Sequence, residues 1–301
     1  MDILVLGGAG QVGTELQALS WPGDVSVHAP GRADLDITDP DAVAAALAAR
    51  DYRVVINTAA YTAVDKAESD VVAAWRLNAL APAILAAATA MRQIPLVHVS
   101  TDYVFAGTKT DGAYAPDDAI DPQSVYGASK AAGELAVRTG NPRHAIVRTA
   151  WVVSPHRGNF VKTMLRLAAE RDALTVVDDQ HGCPTSAADL AAALAVIARR
   201  LATDSGAPTG TFHCVNAGDT TWRGFAEAIV AGSARRGRRS VPVKGIPTSA
   251  YPTPARRPAN SRLSTDSLTD AYGVAPRPWQ AALDDILDRL VGPVSEGVSK
   301  P

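Results

Sequence analysis

Asp2-Ile3-Leu4-Val5-Leu6-Gly7-Gly8-Ala9-Gly10-Gln11-Val12-Gly13 stands at the head of the chain, and its reading decides the fold. An apolar run of strand length ends in glycines at 7, 10 and 13, and helical periodicity then continues from Gln11 to Leu19. Glycine lets the backbone turn tightly and lets its amides approach a pyrophosphate, while the N-terminus of the following helix adds positive potential. Strand, glycine turn and helix in that order predict a dinucleotide cradle formed by Gly7, Gly10, Gln11, Val12 and Gly13.

Downstream, short β-branched runs at Asp24 to His28, Arg53 to Asn57, Pro95 to Ser100 and His144 to Arg148 alternate with helical stretches. Those helices are expected at Pro40 to Ala49, Asp70 to Arg92 and Tyr126 to Arg138. Apolar strands separated by crossover helices predict a doubly wound α/β fold, a parallel sheet covered on both faces. After Arg148 the rhythm loosens into a helix at Asn159 to Arg171, a strand at Leu174 to Val177, a helix at Ala187 to Leu201 and a strand at Thr211 to Val215. A turn-rich stretch from Val241 to Pro258 precedes an amphipathic helix from Gln280 to Leu290. Residues 1–150, rejoined by about 174–203, are therefore expected to form the Rossmann domain. Residues 151–173 and 204–301 are expected to form a smaller, interleaved α/β substrate lobe.

Lysines and arginines number 29 against 31 aspartates and glutamates, a net charge of -2, which argues against nucleic acid or an anionic membrane as partner. Cys183 and Cys214 are far apart and read as reduced thiols. The first residues read as a strand rather than a leader, and charged residues interrupt the apolar runs, so a cytoplasmic protein is expected.

Where a NAD-preferring Rossmann unit carries an acidic residue, this chain has Gly31 and Arg32. A guanidinium there suits a 2′-phosphate, so NADPH is the expected cofactor, with NADH also open. Asp36 and Ile37 are candidates to receive the adenine amino group and cover its face.

Tyr126 and Lys130 stand at i,i+4, on one face of the expected helix. A neighbouring ammonium favours the phenolate, so Lys130 is expected to lower the pKa of Tyr126. Thr101 falls at a strand C-terminus, where open α/β sheets bind ligands, and can hydrogen-bond a substrate carbonyl. Asn57-Thr58-Ala59-Ala60-Tyr61 ends the preceding strand in small residues that permit close approach, and Asn78 follows in the long helix.

This order resembles the extended short-chain dehydrogenase/reductase family, over nearly the whole chain. The blocks Asn57 to Glu68, Ser100 to Phe105, Arg148 to Val152, Asp179 to Thr185, Pro247 to Pro254 and Asn260 to Leu263 resemble its dTDP-4-dehydrorhamnose reductases. The resemblance implies hydride transfer to C4 of a dTDP-4-keto-6-deoxy sugar, giving dTDP-L-rhamnose. Tyr126 would protonate the alkoxide, Thr101 would polarise the ketone, and Lys130 would hold the nicotinamide ribose. Ala59, Ala60, Tyr61 and Asn78 would line the cofactor, while Val64, Asp102, Tyr103 and Trp151 would meet the sugar. Asn260 and Arg262 are the candidates for the diphosphate.

Some relatives hold Mg²⁺ at a dimer interface through a glutamate of the first helix and acidic residues after the Pro-Thr block. Here Glu15 is present, but Ala188 and Ala192 occupy the later positions, so no metal is expected and a homodimer stays open. Another 4-ketoreductase or epimerase and a non-catalytic NADP-binding subunit are the competing readings. Tyr103, where a dehydratase needs a second carboxylate, weighs against dehydration.

Overall fold

The computed structural model describes residues 1–294. Its first strand, β1 (Asp2–Leu6), feeds through the glycine turn into α1 (Gln11–Ala18), after which come β2 (Ser26–His28), α2 (Pro40–Ala48) and β3 (Tyr52–Asn57). A Cβ on Gly13 would lie 2.3 Å from the Gly7 carbonyl oxygen, so only glycine lets α1 start this close to the turn. Asp39 caps α2 through the amides of Asp41 and Ala42.

The short α3 (Val64–Ala67) precedes a continuous helix in three pieces, namely α4 (Val71–Trp75), a π-helical turn at Arg76–Leu80 and α5 (Ala81–Met91). By length and composition, Val71–Met91 is apolar enough to cross a bilayer, contrary to the expectation that charges break every such run. Arg76 is its one charged residue, and in the fold the helix packs on α2 and gives Ala81, Leu85 and Ala86 to the core.

Then come β4 (Leu96–Thr101), α6 (Val125–Gly140) and β5 (His144–Thr149). The later part comprises β6 (Val152–Val153), α7 (Phe160–Glu170), β7 (Leu174–Val177), β8 (His181–Gly182), β9 (Thr185–Ser186), α8 (Ala187–Thr203) and β10 (Gly210–His213). It closes with β11 (Thr220–Thr221), α9 (Trp222–Ala234), β12 (Val243–Ile246), β13 (Asn260–Ser261), α10 (Asp266–Tyr272) and α11 (Trp279–Val291).

Six strands form one parallel sheet in the order β2-β1-β3-β4-β5-β10. The strand order reverses at β1, which places a crevice above the carboxyl ends of β1 and β3. One face is packed by α1 and α8 through Leu16, Leu190, Leu194 and Ile197, and the other by α2, α5 and α6 through Val43, Leu85 and Val137. A third core, built on Val161, Leu174, Phe225, Ile229 and Leu287, holds the lobe of α7, α9 and α11 together.

Two strands depart from the expected division. β10 pairs with β5 and so belongs to the main sheet, although residues 204–301 were expected in the lobe. β7 was expected to return to the Rossmann domain, but it pairs in parallel with β12, a strand inside the stretch read as turns. Lys244 and Gly245 hide that strand from propensity, and its pairing is set by tertiary contact.

α6 is tied to the sheet by a buried ion pair. Arg148 of β5 donates to both carboxylate oxygens of Glu134 at 2.8 and 2.7 Å, reaches the Pro116 carbonyl at 3.0 Å and lies over the Phe105 ring. Breaking one side of such a pair leaves a charge buried alone. Glu134→Ala should therefore cost about 3–5 kcal/mol in urea denaturation. Glu134→Leu combined with Arg148→Met should recover most of that loss.

Candidate active site

Above the carboxyl end of β4, Thr101, Asp102 and Tyr103 meet Tyr126 of the first turn of α6. Ser124 caps that helix through the Gly127 amide. A Cβ on Gly127 would sit 2.2 Å from the Tyr103 carbonyl oxygen, so α6 lies on the β4 terminus at a distance only glycine permits. The Tyr103 and Tyr126 rings meet edge to face at 5.4 Å, with Tyr61 and Val64 packed beside them.

Thr101 is the polar centre of this cluster, accepting from the Tyr103 amide at 3.3 Å. The Thr101 hydroxyl, which acts on the Tyr126 phenol, donates to Asp102 Oδ1 at 3.0 Å. Burial raises the Tyr126 phenol above its ordinary range; the Thr101 hydrogen bond opposes this, and Asp102 and Tyr103 add to it. Burial also pushes the Asp102 carboxyl up to about 6 and the Tyr103 phenol up to about 12. Lys130, buried on the same helix, falls to about 8 by desolvation.

The expectation that Lys130 lowers the Tyr126 pKa is corrected. Its Nζ turns down onto the sheet and donates to the Val99 carbonyl at 2.7 Å, and burial dominates the phenol. Thr101 likewise gives its one proton to Asp102, so polarising a carbonyl requires that hydroxyl to rotate.

At the glycine turn, Gly10 is the N-cap of α1 and offers no side-chain cap, which leaves the first-turn amides of Gln11, Val12 and Gly13 facing outward as an anion cradle. The Gln11 side chain is used elsewhere, accepting from Ser154 at 2.7 Å and Asn159 at 3.0 Å. Arg32 is exposed after β2. Ala59, Ala60 and Tyr61 line the crevice half-buried, with Tyr61 donating to Asp70 at 3.0 Å.

Several of the expected site residues are engaged within the protein. Asn78 is fully buried and pinned inside the protein: its oxygen accepts from the Tyr61 amide at 2.8 Å, and its nitrogen donates to Tyr61 O and Ser129 Oγ. Ile37 packs in the core with Leu35 and Val43, and Asp36 Oδ1 is taken by the Thr38 amide and hydroxyl. Trp151, at φ 49°, stacks on Trp222 at 3.6 Å.

The diphosphate candidates are also engaged internally. Asn260 donates to the carbonyls of Lys109 and Gly112 and accepts from the Arg262 amide and Nε, which makes both part of a loop clasp. Two cations escaped sequence reading. Arg257 crosses from the lobe to donate to Tyr103 Oη at 3.2 Å and Asp65 at 2.6 Å, and Arg157, at φ 55°, donates from Nε to the Ala9 carbonyl of the glycine turn. Only tertiary placement distinguishes them from the other arginines. Glu15 is held by Arg289 at 2.7 Å and His156 at 2.9 Å, and Asp189 by Arg277 and Asn216.

The family model described as RmlD substrate binding domain matches residues 1–291. The chain belongs to this family. It is 43% identical to a dTDP-4-dehydrorhamnose reductase of Sinorhizobium fredii (strain NBRC 101917 / NGR234), covering 93% of this chain and 94% of that one. Among solved structures, a dTDP-4-dehydrorhamnose reductase from Clostridium acetobutylicum ATCC 824 superposes with a TM-score of 0.90 at 38% identity, over 96% of this chain and 99% of that one. A Bacillus anthracis str. Ames dTDP-4-dehydrorhamnose reductase in complex with NADP gives 0.88 at 32% identity, with 96% and 99% covered. This member of the RmlD family therefore shares fold and length with named reductases.

The sign of the Asp102 shift gives a stability test. A carboxyl raised from 3.8 to about 6 favours its neutral form in the fold, so its contribution is full below about pH 4 and lost as pH rises through about 6. Asp102→Asn should gain up to about 3 kcal/mol on wild type above pH 6, in urea titrations. The gain should vanish toward pH 4.

Proposed function

We propose that this chain catalyses the NADPH-dependent reduction of the C4 ketone of dTDP-4-dehydro-6-deoxy-L-mannose to dTDP-L-rhamnose, with Tyr126 as proton donor. The observation that carries the reading is the buried cluster of Tyr126, Thr101 and Asp102 at the end of β4, in a member of a family whose similar relatives bear this activity in their names. A phenol raised by burial stays protonated at neutral pH, which is what an acid delivering a proton to a new alkoxide requires.

The uncapped first turn of α1 fits a pyrophosphate, and Arg32 suits a 2′-phosphate, with NADH as the second choice. When bound, the nicotinamide supplies the hydride. Lys130 holds the ribose, Thr101 orients the ketone, and Val64, Tyr103 and Trp151 bound the sugar. Arg257, which reaches the pocket at Tyr103, replaces Asn260 and Arg262 as the cation for the nucleotide diphosphate. Arg157 serves the cofactor phosphates from above the glycine turn.

Tyr126→Phe removes the proton and little else. Turnover should fall at least about 100-fold, while the Kd for NADPH, read by fluorescence titration, stays within about threefold. Full turnover in the variant would refute Tyr126 as the acid.

A further inference from the structure

Trp151 holds a backbone conformation that the proposed reaction does not account for. It lies just beyond Thr149 of β5, and Thr149 is directly across from Thr101 of β4, so the indole leaves the sheet beside the reacting cluster. Its backbone is left-handed, at φ 49°. That region disfavours a bulky side chain and persists only where the surroundings impose it, as they do at binding and catalytic sites.

The surroundings that impose it come from the lobe. β8 pairs antiparallel with β11, with Gly182 across from Thr220 and His181 across from Thr221. This strand pair delivers Gly182, and Trp222 as the first residue of α9, to the indole of Trp151. Trp222 stacks on that indole with ring centroids 3.6 Å apart and planes 13° from parallel. A Cβ on Gly182 would fall 2.5 Å from Trp151 Cε2, so any larger residue there must displace the indole. Trp222 is itself held in place. Its Nε1 donates to Gln180 Oε1 at 3.1 Å, and its ring packs on Phe160 at 4.6 Å, against the core of α7, α9 and α11.

Trp151 is nonetheless only half-buried. An indole surface left open at the edge of a pocket suits the C–H face and the methyl group of a 6-deoxy sugar.

We propose that Trp222 is a positioning residue for the sugar end of the pocket: its stack, together with Gly182, holds the Trp151 indole as a fixed wall, so that the lobe sets part of the affinity for the sugar. The inference rests on the reading of Trp151 as a boundary of the sugar pocket and deepens it. Trp222 acts through Trp151, and an aromatic pair of this kind is worth about twofold to tenfold in an equilibrium beyond its buried area.

Binding of dTDP-L-rhamnose and of dTDP, each followed by isothermal titration calorimetry, separates the sugar from the nucleotide. Trp222→Leu should weaken dTDP-L-rhamnose by about fivefold or more and leave dTDP and NADPH within about twofold. Trp222→Phe, which returns a ring to the stack, should recover most of that loss. Circular dichroism of the free protein should show the paired bands of opposite sign that stacked indoles produce, lost alike in Trp222→Leu and Trp151→Phe. Equal weakening of dTDP and dTDP-L-rhamnose, unchanged binding of both, or absence of the paired bands would overturn the proposal. If Trp222→Leu does not fold, Gly182→Ala displaces the same indole and gives the same comparison. Wild-type protein that binds dTDP-L-rhamnose no more tightly than dTDP would remove the sugar wall itself and the proposal with it. A wild type that prefers dTDP-L-rhamnose, with the preference intact in Trp222→Leu, would overturn the proposal alone.

Discussion

The site depends on how closely α6 lies on the carboxyl end of β4. Gly127 brings the helix against the Tyr103 carbonyl, which leaves no room for a side chain, and so seats Tyr126 beside Thr101. Displacing reacting groups by about 1 Å can cost two orders of magnitude in rate, so this spacing is a functional constraint as well as a packing one. The pair of Arg148 and Glu134 fixes the other end of the helix to β5. Together they convert an i,i+4 spacing in sequence into a fixed phenol and amine over the sheet.

Burial then does most of the electrostatic work. With solvent excluded, Tyr126 and Asp102 are pushed up and Lys130 is pushed down, each toward its neutral form. A charged lysine tuning a phenolate suits proton removal. The arrangement seen here, with Lys130 turned onto Val99 and the Tyr126 phenol raised by burial, suits proton delivery to an alkoxide.

Much of this was legible in the sequence, because its signals are local. Strand, glycine turn and helix form where residues 2–19 place them, and Thr101, Tyr126 and Lys130 fall at the end of β4 and on α6. Illegible were contacts that depend on where distant segments land. Asn78 reads as a cofactor residue until the π turn buries it between Tyr61 and Ser129. Asn260 and Arg262 read as phosphate ligands until the loop at Lys109 to Gly112 claims Asn260, which in turn holds Arg262. Arg257 and Arg157 had no pattern to mark them, and strand β12 forms only because β7 is there to pair with it.

The central claim is a net two-electron reduction at C4 with Tyr126 supplying the proton, and its most direct test is stoichiometry with product identity. Enzyme, NADPH and dTDP-4-dehydro-6-deoxy-L-mannose should yield one dTDP-L-rhamnose for each NADPH oxidised, read by absorbance together with NMR of the sugar. A sugar inverted or recovered unchanged, with no net oxidation of the cofactor, would contradict it.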